Sequence, residues 1–330
     1  MKSNLLRCPA CKGNLVELAP CIGCANCGAE YNSVNGIIDF LSPYLGKGGK
    51  HQEVVHANQK LHDALGVAYE HDPLIKQQFG YHSNCRMKEV FTDIVQERRK
   101  ASSLDVSLVD LGTGTGLILD LTEGMFDKTL GFDVSSQMLL SAKKRGHQVH
   151  MADACRLPLA NDSVDVVSLD SVLHHIYSVS TVIEEAYRVL KPGGFLVTDW
   201  DPNGFCMDVQ RGHIYRFILW ASKNIRYFLS SHQNSTDCKT FELAEYHRFY
   251  GNIDPETLSK KLQSTGFYPV RLIFHGNNKT VTRFSIFDMP AISIVRSLFM
   301  MALGLTFDKK LILEILMTIS RKPDQVTYRE

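Results

Sequence analysis

Leu108-Val-Asp-Leu-Gly-Thr-Gly-Thr-Gly116 decides the fold. A short apolar run ends in Asp110 and passes into Gly112, Gly114 and Gly116, three glycines spaced two apart. A run of that length reads as a buried parallel strand. Glycines directly after it let the backbone turn tightly and approach a ligand with no Cβ between. Leu117–Gly124 can then open a helix whose unpaired N–H groups face whatever lies above the turn. A turn of this kind at the carboxyl end of a strand is a nucleotide-type site. The spacing is not the G-x-G-x-x-G of a dinucleotide fold, and no Gly-Lys-Ser/Thr follows to make a Walker loop.

Outward from this turn, strand and helix alternate, with strands near 107–111, 129–133, 148–152, 164–169 and 194–199. That alternation predicts parallel pairing with helical crossovers. Leu258–Thr265 reads as a helix, and Phe267–Phe274 and Val281–Phe287 as late strands.

The turn Asp110-x-Gly-x-Gly-x-Gly resembles the first motif of class I S-adenosylmethionine-dependent methyltransferases, the type 11 group in particular. Four further stretches resemble that family in order: Leu130–Met138, Met151–Leu159, Val164–His175 and Arg188–Asp199. The resemblance implies an α/β fold with a Rossmann-like, seven-stranded, doubly wound sheet whose last two strands form an antiparallel hairpin. It also implies S-adenosylmethionine as cofactor. Asp110 is expected at the methionine end, and the backbone of Gly112, Thr113, Gly114 and Gly116 against the cofactor. Asp133 is expected to accept both ribose hydroxyls, as a carboxylate with two acceptor oxygens can. Asp153 is expected at the adenine amino group, the Ala154 N–H at the ring, and Asp170 near the methionine end. Val134 and Met138 complete the second motif. Tyr69 lies in Ala64–Asp72, which resembles the amphipathic segment that closes over the cofactor. His174 and His175 follow the fourth strand on the reaction side, and either could serve as base near neutrality. Tyr246 and His247 are weaker candidates.

Cys8-Pro-Ala-Cys11 and Cys24-Ala-Asn-Cys27 are two C-x2-C pairs twelve residues apart. Each pair sets two thiolates on one tight turn, and two such turns close a tetrahedral Zn2+ site. Four thiolates leave no open position, so the zinc is read as structural. Cys21 could replace a ligand; Gly28, directly after Cys27, favours Cys24 and Cys27. The segment through Gly36-Ile-Ile-Asp-Phe-Leu41 resembles the zinc ribbons that precede some rRNA guanine methyltransferases.

These readings divide the chain into a zinc ribbon at 1–42, a Pro- and Gly-containing linker at 43–55 and a methyltransferase domain at 56–290. A helical cap is expected at about 202–247, rich in aromatics and histidine, and apolar helices at 291–330. Residues 51–100 read as helical, broken near Asp72-Pro73. The apolar runs of the tail, Ala291–Leu305 and Lys310–Ile319, are each shorter than a membrane span, and the first carries Arg296. Packing on the domain, a homodimer face and a peripheral membrane contact compete for the tail at 291–320.

A net charge of +1 offers no field to gather nucleic acid. Nine cysteines, four of them paired by spacing, and no apolar signal core indicate a reducing, cytoplasmic setting. The favoured function is methyl transfer to oxygen or nitrogen of a small biosynthetic molecule. An rRNA or tRNA methyltransferase using the ribbon for RNA, and a non-catalytic cofactor-binding scaffold, are the alternatives. No Asn-Pro-Pro-Tyr motif for nucleobase amino groups follows Leu169.

Overall fold

The computed structural model describes residues 5–19, 21–45, 48–71, 75, 80–101, 105–202, 204, 238–249, 253–275 and 315–324. The quoted apolar run is strand β5 (Ser107–Leu111), buried at every residue. Apolar side chains on both faces are what a central parallel strand needs, since helices cover it on either side. Each such Leu or Val contributes about 1.5–3 kcal/mol by leaving water.

The other strands of this sheet are β6 (Lys128–Asp133), β7 (Val149–Met151), β8 (Val164–Asp170), β9 (Leu190–Pro202), β10 (Val270–His275) and β11 (Ile315–Arg321). Their order is β10-β11-β9-β8-β5-β6-β7. β5 pairs in parallel with β6 on one side and β8 on the other. The winding therefore reverses at β5, and a crevice opens at the carboxyl ends of β5 and β8. β11 runs antiparallel to both β9 and β10.

The seventh strand corrects the sequence reading. Ile315–Arg321 lies in the stretch assigned to apolar C-terminal helices, yet it is inserted between β9 and β10. Leu316, Met317, Thr318, Ile319 and Ser320 are all buried there. A strand covered on both faces carries a short apolar run that periodicity cannot tell from a buried helix. The strand expected at Val281–Phe287 and the rest of the tail, 291–314, lie outside the described residues.

The linker boundary also shifts. Ser42–Tyr44 forms a 3-10 turn, and helix α1 (Lys50–Leu65) begins inside the expected linker, one residue ahead of the helical pattern read from 51. A 3-10 turn, Gly66–His71, continues α1, and helix α2 (Tyr81–Ala101) packs behind the sheet. Of the expected cap, 205–237 lies outside the described residues; helices α3 (Cys238–Ala244) and α4 (Tyr246–Phe249) form its end. α1 and α3 bury Val54, Ala57, Leu61, Leu243 and Ala244 together.

The N-terminal segment is a four-stranded antiparallel sheet: Leu15–Leu18, Cys21–Cys24, Glu30–Val34 and Ile37–Ile38. It is not a separate bead on a linker. Arg7 N donates to Pro158 O at 2.9 Å, and Phe40 N donates to Met151 O at 2.9 Å. Asp39 bridges Met151 in parallel, so the chain leaving this small sheet continues the large one past β7. Cys8, Tyr31, Ile38 and Phe40 share one core with Leu157 and Leu159. The open edge of β7 is thereby covered, which keeps it from pairing with another chain.

Candidate active site

A cavity opens where β5, β6, β7 and β8 end beneath α1. Two positions of the glycine turn show why no side chain fits there. Gly112 sits at φ +68°, and an added Cβ would meet Val172 Cγ2 at 2.5 Å. Gly114 sits at φ +54° with nothing within 4 Å of an added Cβ, so its open side faces the cavity.

Asp133, at the end of β6, is fixed by backbone donors. Gly114 N donates to Oδ2 and Ser135 N to Oδ1, each at 2.8 Å. Each oxygen keeps lone-pair capacity for a further donor. Burial pushes the Asp133 carboxyl up, against the nearby His62 and the backbone N–H groups. Asp153 accepts from Cys155 N at 2.8 Å through Oδ1, and its Oδ2 lies 2.6 Å from His51 Nε2. That partner raises the His51 imidazole above its ordinary value. Burial pushes the Cys155 thiol up, so it is no ready nucleophile.

Asp110 is 1% exposed and accepts from Ser168 Oγ at 2.6 Å. Burial pushes its carboxyl up to about 7, against the bonds from Ser168 and Thr113. It lies on an adjoining smaller cavity with Tyr69, Gly112, Thr113, Gly114 and Asp170. The larger cavity is lined by Tyr69, Gly112, Gly114, Asp133, Val134, Met138, Asp153, Ala154, Asp170 and His175. Thr113 thus lies on the smaller cavity alone. Gly116 lines neither cavity; its N–H closes the turn onto Thr113 O at 2.9 Å.

The histidine pair divides. His175 lines the large cavity, and its Nδ1 lies 2.7 Å from Ala244 O. His174 is 1% exposed and stays out of that lining; Asp201 Oδ1 holds its Nδ1 at 2.9 Å and its backbone N–H at 3.1 Å. On the 3-10 turn Leu173–His175 the His174 ring lies against His175, with centroids 4.0 Å apart. His247 and Tyr246 form an edge-on ring pair in α4, and neither lines the cavity.

Sequence reasoning read residues 51–100 as helical but did not place α1 at the site. His51, Val55, Asn58 and His62 fall on one helical face and form a wall of the cavity. Asn58 Nδ2 donates to His175 O at 3.1 Å, tying α1 to the exit loop of β8. Its Oδ1 is buried with no hydrogen-bond partner, an acceptor left for a ligand. The i, i+4 and i, i+7 spacing was the available signal, but it is equally that of an ordinary core face.

At the N-terminus, Cys8, Cys11, Cys24 and Cys27 bring their sulfurs within 4.8 Å of one another. Cys8 and Cys27 are 3.7 Å apart, and Cys11 and Cys24 3.4 Å. Cys21 is not in this group. Asn26 N donates to Cys24 Sγ at 3.4 Å, the support a thiolate ligand takes from its own turn. Among the described residues no helix is long and apolar enough to cross a membrane.

Comparison with known proteins agrees with this geometry. A family model described as a methyltransferase domain matches residues 109–198. The chain is 39% identical over 120 residues to a ubiquinone/menaquinone biosynthesis C-methyltransferase of Desulfotalea psychrophila, covering 34% of this chain and 46% of that protein. It is 40% identical over 118 residues to a malonyl-[acyl-carrier protein] O-methyltransferase of Marinomonas, covering 32% and 43%. These matches span less than half the length of either relative. A demethylmenaquinone methyltransferase of Lactococcus lactis is 30% identical over 208 residues, covering 57% of this chain and 76% of that protein. With the glycine turn, the strand order and this match together, the chain belongs to the class I S-adenosylmethionine-dependent methyltransferases.

Proposed function

We propose that this chain transfers a methyl group from S-adenosylmethionine to a small biosynthetic molecule, at oxygen, nitrogen or an activated ring carbon. The observation that carries the reading is Asp133. It is half-buried, fixed by two backbone donors, and has spare acceptor capacity beside a glycine turn that is open to the cavity. That arrangement suits a ribose diol. The donor supplies an already activated methyl, so the protein's task is to bind, align and remove a proton.

The remaining roles follow from position. Asp153, steadied by His51, takes the adenine amino group, and the Ala154 N–H takes the ring. Val134 and Met138 pack the adenine, and Tyr69 covers the donor. Asp110 and Asp170 face the methionine end, where a carboxylate meets the α-ammonium. The acceptor enters on the side of His175 and α1. A ring carbon joins oxygen and nitrogen as a candidate acceptor because one relative is named a C-methyltransferase and another an O-methyltransferase.

Incubation with methyl-labelled donor and fractionated extract tests this directly. Label should pass to a low-molecular-weight fraction; label in RNA alone would overturn the acceptor class. Absence of any heat on titration with the donor or its demethylated product would overturn the reading altogether.

We also propose that Cys8, Cys11, Cys24 and Cys27 hold one structural Zn2+. Four sulfurs at these separations, on turns bound to each other through backbone, suit a closed tetrahedral thiolate site. Native mass spectrometry should find one zinc per chain, lost in Cys24→Ser and retained in Cys21→Ser. Loss in Cys21→Ser instead would reassign the ligand.

A further inference from the structure

His62 sits in the last turn of α1. Its Nδ1 lies 2.9 Å from Asn58 O. A carbonyl oxygen only accepts, so Nδ1 carries the hydrogen and the neutral ring keeps its lone pair on Nε2. His175 is fixed in the same tautomer by Ala244 O. The two rings meet edge to face, with centroids 5.3 Å apart, across the cavity that both line. Among the described residues, Asp133 from β6, Tyr69 from the turn after α1 and His175 from the β8 exit face His62. Asp63, next to it in sequence, is taken by Ser135 Oγ at 2.6 Å.

We propose that His62 is a catalytic residue: its Nε2 receives the proton that the acceptor loses on methylation. This rests on the methyltransferase reading above. As the acceptor's electron pair forms its bond to the methyl carbon, the electrons of the broken carbon–sulfur bond remain on the donor's sulfur. The acceptor's proton passes to Nε2, and the imidazolium later releases it to water. His62 suits the task because α1 forms a wall of the cavity and carries this ring on its last turn, beside His175. His175, held by Ala244 on its far side, fixes the acceptor beside it.

Histidine-labelled protein followed by NMR tests this without a known acceptor, with His62→Gln and His175→Gln assigning the resonances. The sulfonium of S-adenosylmethionine is cationic, whereas S-adenosylhomocysteine is neutral there. An imidazole beside the methyl should titrate roughly 1 pH unit lower in the first complex than in the second. The neutral ring should show a protonated Nδ1 in both. Equal midpoints in the two complexes, with both ligands bound, overturn the role of His62 and leave the methyltransferase reading intact. Failure of both ligands to bind overturns that reading and this one with it. In the extract assay, free imidazole should restore label transfer to His62→Gln at least about fivefold, as expected when a positioned proton acceptor is what was lost; no rescue counts against a base.

Discussion

On the side of the cavity proposed for the donor, Asp133 and Asp153 each take one hydrogen bond from within their own motif. Ser135 N, two residues on, fixes Asp133, and Cys155 N, two residues on, fixes Asp153. On the acceptor side the partners come from far along the chain. His175 meets Ala244 across 69 residues, and Asn58 reaches His175 across 117. Behind that wall, Arg86 donates to Asp199 Oδ2 at 2.9 Å across 113 residues, and Asp199 Oδ1 lies 2.6 Å from His275 Nε2 across 76. Local partners build a binding surface that many sequences can share, whereas distant partners build one particular to this chain. The two sides should therefore fail differently when broken.

The largest effect belongs to the distant side. Arg86 and Asp199 are fully buried. Burial works against the Asp199 charge, yet Arg86 and then His275 hold its carboxyl down to about 2. Arg86→Met leaves that charge uncompensated and should cost about 3–5 kcal/mol of unfolding free energy. Urea denaturation reads the loss directly. Because the folded pKa lies below the ordinary value, the pair's contribution is present above about pH 4 and fades as pH falls through about 2. A loss under about 1 kcal/mol in Arg86→Met would mean that this long-range network does not hold the wall.

The same contrast explains what could be read from the sequence. The glycine turn, Asp133, Asp153 and the five parallel strands are legible because their partners lie within a motif or one crossover away. His51 and His62 are not, since their significance depends on where α1 lands. Thr318 and Ser320 break an apolar run in a way that suits strand or helix equally. Only the pairing of β11 with β9 and β10, each forty residues or more away, selects the strand. The place of the N-terminal sheet was hidden for the same reason: Arg7 and Phe40 reach the large sheet through backbone groups, which side-chain patterns do not record.

Asp133→Ala inverts the first experiment. Two charge-assisted hydrogen bonds to the donor would go, so calorimetry should show affinity weaker by at least about 100-fold, roughly 3 kcal/mol. Stability should hold or rise slightly near pH 8, because burial already disfavours the Asp133 charge. Unchanged affinity for the donor would place the ribose elsewhere. A loss of stability as large as that of Arg86→Met would erase the contrast between the two sides.

The smallest effect sits where the contrast is sharpest within one residue. Asp110 belongs to the donor motif by sequence, yet Ser168, from β8, holds it. Its carboxyl is raised to about 7, so its contribution to the stability of the unliganded protein is complete below about pH 4 and is lost as pH rises through about 7. A donor ammonium brought beside it favours the ionised form. Binding near neutral pH should then release a fraction of a proton, and affinity should climb between about pH 5.5 and 7.5, by less than about tenfold per pH unit. Titrations in phosphate and in Tris should differ in apparent heat by the buffers' ionisation enthalpies times that fraction. Asp110→Asn should bind with the same heat in both buffers and show a flatter pH profile. Identical heats in the two buffers for the unaltered protein would place the ammonium away from Asp110, leaving Asp170 as the carboxylate that meets it.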